Sequence, residues 1–296
     1  MSDFLTLDPM SLSVPKRHGY LLTAVAPRPI AFASTIDKAG NINLSPFSFF
    51  NVFSSNPPVM IFSPARRGRD NTTKHTFENI KEVRETVVSV VNYPMVEQVS
   101  LASTEYDKGV NEFVKAGFTQ VPSEKVAPPR VGESPASFEC VVDDIIELGQ
   151  EGGAGVLIIA RVVLMHFRKE YLDADNHLDT QKLDLVGRMG SKWYNRASGD
   201  ALFAVPKPGR VKGMGMDQLP KHIRESNILT GNQLAQLAGL PQLPETEIQQ
   251  AIEQSKDFQR MASATDRHTS MQQWAQKLLQ QGEVEKAMSV LMSLDA

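Results

Sequence analysis

Residues 43–51 read NLSPFSFFN, and residues 56–63 follow them with NPPVMIFS. The first segment places hydroxyl and aromatic residues around one proline, and the second joins a proline pair to an apolar run. β-branched and aromatic residues favour strands, whereas proline marks an edge, a bulge or a turn. We therefore expect a connection with specialised backbone before a strand at Val59–Ser63. The alternative is one bulged strand whose aromatic rings simply fill the core.

Short apolar runs separated by turn residues occupy the first two thirds of the chain, which is typical of strands. The predicted strands are Leu21–Val25, Ile30–Thr35, Val59–Ser63, Thr86–Val91, Ser137–Leu148 and Val156–Phe167. A tight turn at 37–41 and a glycine-rich turn at 152–155 indicate antiparallel pairs. Short helices are predicted at Phe77–Glu85, Val96–Ala102 and Val110–Ala116. Many antiparallel strands favour a closed or partly closed β-barrel, because closure removes exposed edges.

The composition changes near residue 205. Of the 17 glutamines, 13 lie after residue 210, and the aromatic residues there are Phe258 and Trp274. Residues 206–210, PKPGR, form a natural boundary, so we predict a first domain at 1–205 and an α-helical C-terminal extension at 206–296. Its predicted helices are Asn232–Ala238, Glu245–Ala262, Met271–Gln281 and Val284–Leu294. We expect them to pack on the barrel or on a partner subunit.

Charge and composition exclude several classes of function. The net charge of −3 argues against nucleic acid or an anionic membrane as the main partner. The extension has the outline of a helix-turn-helix, but its second helix carries Glu245, Glu247 and Glu253 and lacks arginine. The histidines lack the spacing of metal ligands, and 173–179 is interpreted as a polar turn rather than a calcium loop. The sequence shows no signal peptide or membrane span and has a single cysteine, Cys140, so we expect a cytoplasmic protein.

Two further segments give the chain a family resemblance. Residues 26–35 read APRPIAFAST and residues 74–76 read KHT. With 43–51 and 56–63, they resemble the flavin reductase-like, FMN-binding split-barrel family, in its flavoredoxin-like branch, over roughly residues 10–205. The resemblance implies a split β-barrel, bound FMN, and NADH or NADPH as the electron donor for hydride transfer to flavin N5. It also implies a homodimer with each flavin at the shared face.

The implied chemistry belongs to the cofactor, so no catalytic acid, base or nucleophile is required of the chain. The electron acceptor, a small molecule or a partner oxygenase, stays open. A second hypothesis is an FMN-holding electron carrier without nicotinamide activity of its own. A third is a regulator whose barrel senses flavin and whose extension binds DNA.

The resemblance assigns the flavin ring to the segment 45–48. Its members are Ser45, Pro46, Phe47 and Ser48, and Asn51 and Val52 lie at the end of the same loop. Hydroxyl groups can bond the polar ring edge, while an aromatic side chain can pack on the ring or in the barrel.

The flavin phosphate needs cations, hydroxyls and backbone N–H groups. The stretch from Ser63 to Thr76 supplies Arg66, Arg67, Arg69 and Lys74 just before a predicted helix start. Lys74 and Thr76 are the favoured contacts, and each of the three arginines is equally well explained as part of a solvated loop.

Two more arginines match family positions. Arg28 lies between two prolines that restrict its backbone and is a candidate for bidentate phosphate binding. Residues 186–194, VGRMGSKWY, resemble the family's closing Arg-x-Gly-Gly-x-x-Tyr element, with Ser191 in place of the second glycine. Arg188 and Tyr194 are therefore predicted to complete the pocket.

Phe47, Phe49, Phe50 and Phe53 form an aromatic cluster beside this pocket. If only one face of the strand meets its own barrel, a symmetric partner must cover some of these rings. The alternative is that all four fit inside one barrel.

Overall fold

The protein is described by a computed structural model that covers residues 3–207 and 209–294, the side chain of Glu247 excepted. The chain forms two compact units, one ending at Phe203 and the other starting at Ala204. This division lies close to the predicted boundary at 206–210, in which Pro208 falls outside the described residues.

A seven-stranded antiparallel sheet, counted over the described residues, forms the core of the first unit. Its strands are β1 (Ala31–Ile36), β2 (Ile42–Phe47), β3 (Phe50–Ser55), β4 (Pro58–Phe62), β5 (Glu85–Ser89), β8 (Ala136–Glu147) and β9 (Val156–Phe167). Two short ribbons accompany it, β6 (Gln120–Val121) with β7 (Arg130–Val131), and β10 (Val186–Arg188) with β11 (Tyr194–Arg196). The predicted mainly β fold is confirmed.

The sheet order explains the split in the barrel. It runs β2-β1-β5-β8-β9-β4-β3, so β2 and β3 follow each other in sequence yet lie at opposite ends of the sheet. Only Ser48 and Phe49 separate the two strands, which brings both ends of the sheet together. Inside, the rings of Phe47 and Phe62 stack with centroids 5.6 Å apart. The segment predicted as a loop is thus mostly strand, with a register shift between Val52 and Ser54.

The longest hairpin joins β8 to β9 across the glycine-rich turn, as predicted. Cys140 lies on β8 and is fully buried. Burial, with the nearby charge of Glu139, raises the pKa of its thiol to about 12. The thiol is therefore a neutral core group at physiological pH.

The helices of the first unit are α1 (Val14–Ala24), α2 (His75–Glu82), α3 (Val96–Ala102), α4 (Glu112–Ala116) and α5 (Thr180–Leu183). The strand predicted at Leu21–Val25 is wrong, because these residues end α1. A proline in the first turn of α1, after Ser13, is the helix-start signal that outweighs the apolar run. The helix α2 begins two residues before the predicted start at Phe77, with Lys74 at its N-cap. Gly117 ends α4 with a φ of 71°, which agrees with the predicted stop.

The second unit is helical and has a hydrophobic core of its own. Its helices are α6 (Lys221–Arg224), α7 (Gly231–Ala238), α8 (Thr246–Glu253), α9 (Lys256–Ala262), α10 (Arg267–Gln280) and α11 (Val284–Met292). Leu237, Met271 and Met288 are among its fully buried core residues. The single helix predicted at Glu245–Ala262 is wrong, because α8 ends at Glu253 and Ser255 caps α9 by accepting the N–H of Phe258. No helix in the described ranges is both long and apolar enough to cross a bilayer.

The turn between β10 and β11 carries a backbone constraint that leads to a prediction. Ser191 has a φ of 52°, in the left-handed region where a side chain costs energy. Glycine is the residue that the resembled family has at this position. We expect Ser191→Gly to raise the free energy of unfolding by about 0.5–1 kcal/mol, as measured by urea denaturation.

A matched control is Ser100→Gly, because Ser100 is exposed within α3. In helical backbone the same substitution should lower stability by a similar amount. Equal destabilisation by both substitutions would contradict strain at Ser191.

Candidate functional site

The described residues of the first unit surround a groove of about 670 Å³ at the end of the barrel where β2 leads into β3. One wall is the segment 45–49, the second is α1, and the third is the β10–β11 turn. Ser63, Ala65, Lys74 and Ser103 line the remaining part. The groove therefore gathers residues from far apart in the sequence.

The first wall contains the residues that the sequence assigned to the flavin ring. Ser45, Pro46, Phe47 and Ser48 all line the groove, together with Phe49. Two buried contacts hold β2 in place behind them. The N–H of Leu44 donates to Glu112 Oε2 at 2.9 Å, and Asn43 Nδ2 donates to Thr76 Oγ1 at 2.8 Å.

Thr76 is thus fully buried and anchors β2 to α2, outside the groove lining. The buried Glu112 also serves the fold. Burial raises the pKa of its carboxyl, although the N–H of Leu44 acts in the opposite direction.

The second wall, α1, was missed because its apolar residues were interpreted as a strand. Pro15, His18, Gly19, Leu22 and Thr23 line the groove. None of the residues of α1 is buried, so the helix lies over a groove that it does not fill. The imidazole of His18 meets the ring of Phe49 edge-on, with centroids 6.2 Å apart. The helix-start signal at Ser13 and Pro15 could have found this wall.

Arg28 joins the three walls. Its Nη1 donates to the carbonyls of Leu22 and Val25, the latter at 2.7 Å, at the end of α1. Its Nη2 donates to Met189 O at 3.1 Å, in the β10–β11 turn, and Nε lies 3.4 Å from Ser48 Oγ. A guanidinium at a helix C-terminus satisfies carbonyls that have no intrahelical partner.

Arg28 is 7% exposed, and burial together with the nearby charge of Arg188 lowers the pKa of its guanidinium. The sequence assigned it to a phosphate. The structure commits most of its N–H groups to backbone carbonyls instead, so its first role is to hold the walls together.

Lys74 is a predicted phosphate contact that does line the groove. Its Nζ lies 3.6 Å from Glu105 Oε1. Burial and the charge of Arg67 lower the pKa of Lys74, and Glu105 offsets only part of this effect. Lys74 is thus a partly buried cation with one exposed counter-ion, Glu105, which no sequence pattern indicates.

The three loop arginines do not line the groove. Arg66 donates to Asn71, and Arg67 lies 3.1 Å from Glu105 Oε1 and bonds the loop backbone. Arg69 pairs with Glu105 and with Asp70. Of the two interpretations left open, these contacts favour arginines that shape their own loop.

Of the remaining predicted residues, one lines the groove and three lie outside its lining. Arg188 lines the groove, donates to Trp193 O at 3.1 Å, and places its guanidinium 4.6 Å from the ring centre of Tyr194. Tyr194 therefore supports Arg188 rather than lining the groove itself. Asn51 and Val52 are exposed on β3, away from the lining.

The charge of the groove is one-sided. Arg28, Lys74 and Arg188 are among its described lining residues, whereas no aspartate or glutamate is. Pro46, Phe47, Phe49, Leu22 and Met189 supply apolar surface. Such a site suits a ligand with a flat apolar body and a negative group.

The turn at 173–179 brings three exposed ligand-type side chains close together. Single atoms of Asp173, Asp175 and His177 lie within 4.8 Å of one another. Asp173 Oδ1 accepts the N–H groups of Asp175 and His177 at 2.9 and 2.8 Å. This carboxylate closes its own turn, in agreement with the polar-turn interpretation.

Comparison with known proteins identifies the family. Residues 24–182, more than half of the chain, match the model of the flavin reductase like domain. The chain belongs to the flavin reductase-like family. An uncharacterized protein of Halalkalibacterium halodurans is 40% identical over 207 residues, which are 69% of this chain and 97% of that protein.

Two solved structures share the split-barrel fold. Nitrilotriacetate monooxygenase component B from Bacillus cereus is 26% identical with a TM-score of 0.64, over 69% of this chain and all of that one. The 2-nitrobenzoate 2-nitroreductase NbaA of Pseudomonas fluorescens is 25% identical with a TM-score of 0.60, over 68% of this chain and 96% of that one. The family resemblance that the sequence indicated is confirmed.

The contacts of Arg28 predict what its loss would do. Arg28→Lys keeps the charge but removes the planar fork that reaches three walls. Unsatisfied carbonyls should lower the free energy of local opening of α1 by about 1–3 kcal/mol. Hydrogen exchange followed by mass spectrometry should then show faster exchange in α1 but not in β8.

Arg161→Lys is the control, because Arg161 forms an exposed pair with Asp143 on the β8–β9 hairpin. Its exchange pattern in α1 should match that of the unsubstituted protein. Unchanged protection of α1 in Arg28→Lys would refute the wall-joining role.

Proposed function

We propose that the protein is an FMN-binding oxidoreductase that accepts electrons from NADH or NADPH and passes them on from the groove. The observation that carries this proposal is the acid-free, cationic lining beside the apolar surface of Pro46, Phe47 and Phe49. Membership of the flavin reductase-like family supports the same chemistry.

The groove residues fit FMN by the chemistry of their side chains. Lys74 and the hydroxyls of Ser63 and Ser103 provide a cation and polar groups for a phosphate. The hydroxyls of Ser45 and Ser48 suit the polar edge of the ring, while Phe47 is held by stacking on Phe62. All these residues precede Phe203, so we assign the cofactor site to the first unit alone.

The protein's own contribution is to bind, orient and shield. When bound, FMN supplies the redox chemistry, so that no side chain need act as an acid, base or nucleophile. Leu22, Phe49 and Met189 exclude water from the apolar part of the groove, and Arg188 adds a positive charge at its edge. Arg28 holds these walls in fixed positions relative to one another.

The electron acceptor is proposed to be a small molecule or a partner oxygenase. The Bacillus cereus neighbour is a component of a monooxygenase, which supports the second of these. Assays with one candidate acceptor at a time would identify the molecule that receives the electrons.

The test is an anaerobic titration of the FMN-loaded protein with NADH and, separately, with NADPH. We expect the visible flavin absorption to bleach with one or both donors, at a rate above that of free FMN with the same donor. Tight FMN binding without accelerated bleaching would instead identify an electron carrier. Failure to bind FMN at all would overturn the proposal.

A substitution at Lys74 distinguishes binding of the FMN phosphate from binding of the flavin ring. Lys74→Ala should weaken FMN binding by about 1.5–3 kcal/mol, the range for hydrogen bonds to charged groups, and leave riboflavin binding nearly unchanged. Isothermal titration calorimetry measures both. Lys108→Ala is the control, because Lys108 pairs with Glu78 and lies outside the groove lining.

The pH dependence of this contact has a definite sign. Because the pKa of Lys74 is lowered in the free protein, its charge is lost at a lower pH than that of an ordinary lysine. The preference for FMN over riboflavin should therefore decline as pH rises through that pKa, and Lys74→Arg should retain it. An equal loss of FMN and riboflavin binding in Lys74→Ala would contradict the phosphate assignment.

We further propose that two copies associate through β3. Phe49, Val52 and Phe53 are 41%, 57% and 64% exposed in the single chain, so the alternative in which all the rings fit inside one barrel does not hold. This apolar face continues directly into the groove at Phe49. A second copy seated on β3 would cover both the face and the groove edge.

A charge on this face tests the proposed dimer. Phe53→Glu should convert the protein to a monomer and reduce its FMN content, as measured by light scattering and absorbance. Val114→Glu is the matched control, because Val114 is 73% exposed on α4 and should change neither quantity. A monomeric Phe53→Glu protein with full FMN occupancy would separate flavin binding from association.

A further inference from the structure

A second cavity lies at the other end of β9 from the groove. It encloses about 360 Å³ and includes His166, Phe167 and Arg168 in its lining. Val156, at the start of β9, contacts the groove residue Ser63 through its N–H. A twelve-residue strand spans on the order of 35 Å, so the two sites are separate.

Two arginines are held at this cavity by backbone carbonyls. Arg130 Nε and Nη2 donate to Pro122 O at 3.3 and 3.1 Å, which leaves Nη1 without a partner in the described part of the chain. Arg168 Nη1 donates to Gly132 O at 3.0 Å, and its Nε lies 2.9 Å from Glu170. Each guanidinium is thus oriented while keeping donor capacity.

The imidazole of His166 is oriented from behind by a buried carboxylate. Glu139 is fully buried and accepts the N–H groups of Glu124 and Lys125 at 2.9 and 2.6 Å. Its Oε1 lies 2.7 Å from His166 Nε2. Burial raises the pKa of Glu139, but these hydrogen bonds outweigh burial and hold the pKa below its ordinary value. The carboxylate therefore accepts the Nε2 proton, and the Nδ1 side of the ring is left to other partners.

The acids near the cavity lie outside its lining. The lining includes Arg130, His166 and Arg168, and no described acid belongs to it. Glu124 lies 3.9 Å from His166 Nδ1 but is 67% exposed, and Glu170 is 57% exposed. Both side chains can turn into solvent when another anion arrives. The two arginines of the lining therefore provide the attraction for an anion.

We propose that this cavity binds a phosphate group, either free or as a monoester. Two guanidiniums offer donors to the phosphate oxygens, and His166 Nδ1 can accept the proton of a phosphate O–H, which an ionised carboxylate does not have. Val121 and Phe167 border the cations and provide apolar surface for the body of an ester.

Calorimetric titration of the FMN-loaded protein with inorganic phosphate and with AMP tests the site. We expect one phosphate-dependent site per chain, with Arg130→Gln and Arg168→Gln each weakening it at least tenfold. Lys108→Ala should leave that affinity within twofold, because Lys108 pairs with Glu78 and lines neither cavity. Absence of binding by both probes, or unchanged affinity in both arginine variants, would overturn the proposal.

Two further measurements sharpen the result. The imidazole resonances of His166, assigned by their loss in His166→Gln, should shift on addition of phosphate. Tighter binding of AMP than of inorganic phosphate would identify a monoester as the ligand, whereas equal affinities would identify free phosphate. Adenosine that binds as tightly as AMP would refute recognition of phosphate.

Discussion

One buried guanidinium holds the groove together. Arg28 bonds the last carbonyls of α1 and the turn after β10, and it reaches the hydroxyl at the end of β2. The backbone adds a second connection, because the N–H groups of Arg28 and Arg188 each donate to the other's carbonyl, at 3.0 and 2.8 Å. Segments that lie about 160 residues apart thereby meet at a single side chain. A lysine could satisfy only part of this arrangement, since the planar fork fixes several directions at once.

The barrel supplies the frame for this arrangement. Since β2 and β3 are joined by two residues yet occupy opposite ends of the sheet, their connection must lie at the seam of the barrel. That position gives Ser48 and Phe49 an open side, where strand pairing does not cover them. The same topology leaves an edge on β3, which natural sheets cover or protect. The groove and the exposed face of β3 are thus two results of one incomplete closure.

The sequence predicted the parts of this structure that depend on local patterns. The hairpin of β8 and β9 and the strand β4 follow from alternation and turn residues, whereas the wall at 45–48 follows from the family resemblance. Residues whose roles depend on distant partners were harder to interpret. Arg28 was assigned to a ligand because the residues that end α1 were interpreted as a strand and Met189 lies 161 residues away. Thr76 was also assigned to the ligand, although its hydroxyl accepts a hydrogen bond from Asn43.

The ion pairs of Arg67 and Arg69 could not be predicted from the sequence for the same reason. Their partner Glu105, which also pairs with Lys74, lies more than 30 residues away.

This cluster of ion pairs makes the rim of the groove depend on ionic strength. Arg69 is 71% exposed, so dissolved salt screens its attraction to Glu105 strongly, whereas the buried network of Arg28 is screened little. Concentrated salt will loosen the loop that carries Lys74 while the three walls keep their positions. The environment of the protein thus sets how firmly the rim is held.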